Sequence, residues 1–69
     1  MNTERLFNII ITDLTNDRIK YEHELERIIN SDIDIDDKLI VVKDLLTKIN
    51  ITEMNITKFS GMINNNNKN

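Results

Sequence analysis

Val42, Ile49, Ile56 and Ile63 stand seven residues apart. Seven residues make almost two turns of an α-helix, so an apolar repeat of seven gives a helix one stripe to lay along a neighbouring helix. That repeat constrains the chain to helix-on-helix packing before any other residue is considered. No proline interrupts it. The rest of the seam is predicted to alternate steps of three and four, through Leu39, Val42, Leu46, Ile49, Glu53, Ile56, Ser60 and Ile63. Leu45 and Phe59 would widen one flank.

The N-terminal half supplies a matching stripe. A turn of ~100° per residue aligns Phe7, Leu14, Tyr21, Leu25 and Ile28. Asn2 or Thr3 can cap its start, and Thr15-Asn16-Asp17 is the point where it could kink. Between the halves, Asn30 to Asp37 is rich in Asn, Ser and Asp, whose side chains bond nearby backbone and favour turns and caps. The predicted arrangement is an all-α antiparallel two-helix hairpin over residues 1–63. Helix 1 covers about 3–30, a loop about 31–35, and helix 2 about 36–61. Asp36 is the expected N-cap of the second helix and Gly61 its expected C′ residue. Residues 64–69, nearly all Asn, are expected to form a disordered tail. In the implied register Arg18 and Glu53 are the polar interruptions of the two seams, and they are expected to pair and fix the alignment.

A chain of 69 residues is marginal as an independent domain, and small domains usually gain stability from disulfides, metals or partner chains. There is no cysteine and a single histidine, so disulfides and ordinary zinc sites are excluded. Partner chains remain. Filling the seam leaves Ile40, Ile51 and Met62, spaced eleven apart and nearly in line on a helix, with Met54 beside them. Ile9 and Ile19 lie off the stripe of the first helix. These six residues form the expected partner or oligomer face, and a four-helix bundle of two hairpins is the natural homodimer.

Little chemistry is written in the sequence. Asp32, Asp34 and Asp36 open like a calcium loop, but the required glycine is Asp37 and the bidentate glutamate is Lys43, so an acidic turn is the reading. His23 sits among glutamates with no second catalytic group near it in sequence, and one glycine cannot build a phosphate loop. No enzymatic activity, metal or cofactor is expected. The net charge of -3 and pI near 4.9 argue against nucleic acid as a partner. With no long apolar run or secretory signal, a soluble cytoplasmic location without membrane contact is expected, in the host cytoplasm if the gene is viral. The richness in Ile, Asn and Lys fits an AT-rich gene of phage, plasmid or low-GC bacterial origin.

The expected outline resembles, in shape and in no residue motif, the Rop-type plasmid copy-control dimers that bind RNA. It is also similar in outline to the small aspartyl-phosphate phosphatases of sporulating bacilli, but Val42-Lys43-Asp44-Leu45-Leu46 stands where their Ser-Gln-Glu-Leu-Asp signature would be. No family is assigned. The expected function is a non-catalytic protein–protein interaction module: a regulator, inhibitor or assembly factor binding itself or another protein through a helical face. The alternatives are an RNA-binding helical homodimer and a structural subunit of a larger assembly.

Overall fold

The computed structural model describes residues 3–66, with the side chains of residues 3–64. Two helices, α1 (Thr3–Ile29) and α2 (Ile35–Asn66), fold against each other as an antiparallel hairpin. No strand occurs among the described residues. The hairpin is a rod of 54 × 15 × 14 Å. Its radius of gyration is 15.9 Å, where a compact chain of this length would have about 11 Å.

α1 runs unbroken through Thr15-Asn16-Asp17, the expected weak point. Glu4 lies in its first turn and Arg27 in its last, each matching the helix dipole. Thr3 is already helical, and Asn2, the other candidate cap, lies outside the described residues. The C-terminal end is closed by several groups. Ser31 donates from its backbone N–H (3.1 Å) and from Oγ (2.6 Å) to the carbonyl of Ile28. The ammonium of Lys38 reaches back from α2 to the carbonyls of Ile29 (3.0 Å) and Ser31 (2.8 Å). A cation satisfying the last carbonyls of a helix both completes their hydrogen bonding and meets the negative end of the dipole.

The cap of α2 differs from the expectation by two residues. The carboxylate of Asp34 accepts from the Asp36 N–H at 3.2 Å, and the Asp34 carbonyl takes the first helical bond from Lys38 N–H at 2.8 Å. Asp34 is therefore the N-cap, and Asp36 is the second helical residue. Asp36 and Asp37 then both sit in the first turn, where their charge suits the dipole.

The other end of α2 also departs from the expectation. The helix passes through Gly61 and continues to Asn66, and Gly61 has no positive φ. Glycine stops a helix when it can adopt a left-handed conformation, but here Ile63 continues the seam and holds the backbone helical. Asn64 to Asn66, assigned to the tail on sequence grounds, are thus helical, and residues 67–69 lie outside the described residues. A Cβ added at Gly61 would meet nothing within 4 Å. Gly61→Ala is expected to stabilise α2 by about 0.5–1 kcal/mol, read as a rise in melting temperature.

The core is thin. Ile28 (4% exposed), Leu45 (6%) and Ile49 (7%) are its buried apolar residues among those described, and Thr52 (7%) is buried with them. On α1 the half-buried Phe7, Leu14, Tyr21 and Leu25 lead to Ile28, the stripe expected from the sequence. On α2 the inward positions are Lys38, Val42, Leu45, Ile49, Thr52, Ile56, Phe59 and Ile63. The sevenfold run of Val42, Ile49, Ile56 and Ile63 is therefore inside. Its companions follow it by three residues rather than by four, so Leu45 and Thr52 occupy places expected for Leu46 and Glu53. Leu39, Leu46 and Glu53 are exposed.

Near the open end the rings of Phe7 and Phe59 meet with centroids 5.5 Å apart. Counting in sevens from that pair, in opposite directions, brings Leu14 to the level of Thr52, Tyr21 to Leu45 and Ile28 to Lys38. The Lys48 ammonium, 5.9 Å above the Tyr21 ring, and Lys38 at the end of α1 agree with that alignment.

Candidate functional site

A right-handed helix turns each next residue by ~100°. In an antiparallel pair with facing seams, the residues that directly follow seam positions turn onto the same flank of the hairpin. On α2 these are Leu39, Leu46 and Glu53, after Lys38, Leu45 and Thr52; on α1 they are Glu22 and Ile29, after Tyr21 and Ile28. Beside the turn this flank is apolar, with Ile29, Leu39 and Leu46 all exposed. Further along it becomes polar at Glu22 and Glu53.

Around that flank the exposure is concentrated. Twelve large hydrophobic residues are exposed among the described residues, and half of them fall between Ile29 and Leu46: Ile29, Ile33, Ile35, Leu39, Ile40 and Leu46. Scattered exposed apolar residues need no explanation, but a local concentration does. Ile35 and Leu46 are eleven residues apart and Leu39 lies between them, so the three make one stripe along α2.

The six residues expected to form a partner face are all exposed, Ile40 at 69% and Met54 at 70% among them. They do not make one surface. Ile9 and Ile40 each lie opposite the seam of their own helix, so they point away from one another. Ile51 and Met54 lie on the outside of α2, Met62, next to the seam residue Ile63, turns to a flank, and Ile19 is on α1. Leu39, Leu46 and Ile29, which lie closer together, were hidden from a sequence reading that had placed Leu39 and Leu46 in the seam.

Arg18 and Glu53 are not brought together. Arg18 pairs with Glu22 one turn along its own helix, at 3.5 Å. Glu53 is exposed and makes no ion pair among the described residues, because Thr52 takes the seam position and turns Glu53 outward. Thr52 tolerates burial because its hydroxyl donates to the Lys48 carbonyl at 2.7 Å.

Two further ion pairs lie on the surface. Arg27 makes a two-point contact with Glu24, its Nε donating at 3.1 Å. The hydrogen bond from Arg27 holds the Glu24 carboxyl below its ordinary value and Arg27 above its own. Lys48 binds Asp44 at 2.9 Å, which raises the lysine further. These pairs are exposed and of small energetic weight.

No group of three metal-ligating side chains gathers among the described residues, and Asp34 of the acidic turn is committed to its cap. His23 is exposed. Two surface grooves among the described residues are shallow and open, one along α1 at Glu4, Arg5, Asn8, Ile9 and Thr12, the other along α2 at Asn50, Glu53, Met54, Thr57 and Lys58. Neither assembles a nucleophile with a base. No helix is long and apolar enough to cross a membrane among the described residues. No family model matches the chain, and no curated protein or solved structure matches it.

Proposed function

We propose that the chain is a small non-catalytic protein–protein interaction module, a regulator, inhibitor or assembly factor, that works as a homodimer in which two hairpins form a four-helix bundle. The observation that carries this reading is the imbalance, among the described residues, between three fully buried apolar residues and twelve large hydrophobics left exposed. A chain that buries so little within itself has the composition of an interface, and helical faces are a common means of protein recognition.

The RNA-binding alternative needs basic residues gathered on one surface. Arg18, Arg27 and Lys48 are paired with acidic side chains and Lys38 with carbonyls, and the net charge of -3 weighs against it as well. Light scattering of the purified protein, together with a mobility-shift assay on structured RNA at low salt, tests the choice. A discrete dimer that leaves RNA unshifted supports the interaction module. RNA binding that weakens steeply with salt would replace it with the alternative.

A further inference from the structure

We propose that the turn half of α2, from the turn to Ile49, has two rotations against α1, and that Lys38 is the latch between them. One rotation is the observed one; in the other, Leu39 and Leu46 face the seam. The apolar flank beside the turn is displayed by the first and withdrawn by the second. This goes beyond the interaction reading and stands whether or not the chain pairs with itself.

Two seams run through α2 and share one line. Val42, Ile49, Ile56 and Ile63 belong to both. In the structure their companions are Lys38, Leu45, Thr52 and Phe59, and one position further round lie Leu39, Leu46, Glu53 and Ser60. At ~100° per residue, exchanging one set for the other takes a rotation of about 50°. The two halves of α2 favour opposite choices. Toward the open end the observed set is the better one: Phe59 meets Phe7 with ring centroids 5.5 Å apart, and Thr52 has its hydroxyl on the Lys48 carbonyl. Glu53 and Ser60 would replace them. Toward the turn the order is reversed, because the second set exchanges Leu45 for Leu46 and Lys38 for Leu39. A leucine replaces a leucine, and a leucine replaces a lysine.

Two features hold the turn half where it is. The Lys38 ammonium binds the carbonyls of Ile29 at 3.0 Å and Ser31 at 2.8 Å, and rotation of α2 carries it off both. The second feature is the spacing. With the open half fixed, the second seam runs through Leu39, Val42, Leu46, Ile49 and Thr52, with two steps of three in a row at Ile49. The observed seam alternates four and three throughout, and two successive threes overwind a packed helix locally. Overwinding is shared among several residues, whereas the latch is one side chain. A glutamate at position 38 would reverse its sense. The observed rotation would then set a carboxylate against the negative end of α1, and the second rotation would carry it into water.

The chain has no cysteine of its own, so introduced pairs report the rotation. Tyr21 lies level with Leu45. Tyr21→Cys/Leu45→Cys closes a disulfide in the observed rotation and Tyr21→Cys/Leu46→Cys in the second, because a bridge needs Cβ atoms that point toward each other. Each pair is made with Lys38 intact, with Lys38→Glu and with Lys38→Arg. Non-reducing electrophoresis follows the rate of closure within the chain and separates it from any bridge between chains. The pair with Leu45→Cys is expected to close faster with Lys38 intact and with Lys38→Arg, which keeps the cation. The pair with Leu46→Cys is expected to close faster with Lys38→Glu. Circular dichroism checks the helix, and Lys38→Gln takes the place of Lys38→Glu should the glutamate unfold the chain. Faster closure through Leu45→Cys in every background would overturn the proposal. Equal rates with Lys38→Glu would overturn it too, by showing that the turn half frays instead of rotating. Both results leave the homodimer reading untouched.

Discussion

Ile49→Ala is expected to remove about half of the protein's folding stability, while Ile51→Ala, two residues away, is expected to leave it nearly unchanged. Ile49 is 7% exposed and Ile51 is 53% exposed. Truncating a buried isoleucine to alanine costs about 2–5 kcal/mol, because the lost transfer energy adds to that of the cavity left behind. The total stability of a natural domain is about 0.05–0.15 kcal/mol per residue, which for 69 residues is roughly 3–10 kcal/mol. Leu45 and Thr52, one turn to either side on α2, are the buried residues nearest to it in the helix, so Ile49 has few neighbours able to relax into the gap. At Ile51 the same truncation removes side-chain atoms already in water, and the change should stay within about 0.5 kcal/mol. Urea unfolding followed by circular dichroism measures both. Equal effects at the two positions would show that the sevenfold run does not face α1.

Thr52→Asp should be nearly as damaging, and Glu53→Ala nearly silent. Thr52 is tolerated inside because its single hydroxyl has a partner in the Lys48 carbonyl. An aspartate there would place a charge among apolar neighbours with no cation assigned to it, a loss of about 3–5 kcal/mol by analogy with other uncompensated buried charges. Glu53 is one residue further round the helix and exposed, so its truncation should cost no more than about 0.5 kcal/mol. Thermal melts of the two variants decide which residue lies in the seam. A severe loss at Glu53 with little change at Thr52 would restore the alignment that hydrophobicity alone suggests.

The reason for that misleading alignment is physical. Val42, Ile49 and Ile56 were legible as inward positions because β-branched residues at a strict spacing of seven leave one orientation for the helix. Their companions could lie three or four residues later, and the apolar content of Leu39 and Leu46 favours four. The hydrogen bonds of two side chains tip the balance the other way. Thr52 satisfies its hydroxyl on its own helix, and Lys38 lays its stem inward while its ammonium binds the end of α1. None of these bonds has a signature in hydrophobic periodicity.

The ends of α2 were misread for a similar reason. Asp34 and Asp36 are equally good caps by composition, and only the backbone path at the turn chooses between them. Gly61 carries the usual mark of a helix end, yet Ile63 beyond it still has a seam to join. The candidate surface inherits the error in the seam. That apolar residues were left over was legible; that Leu39 and Leu46 were among them was not, because an exposed flank is defined by what the seam omits.

The dependence of helicity on protein concentration tests the central claim most directly, that this hairpin leaves too much apolar surface uncovered to stand alone. A dilution series followed by circular dichroism should show helix lost on dilution, with a midpoint that matches the dissociation of a dimer measured by sedimentation. Full helicity in a monomer down to the lowest concentration would contradict it.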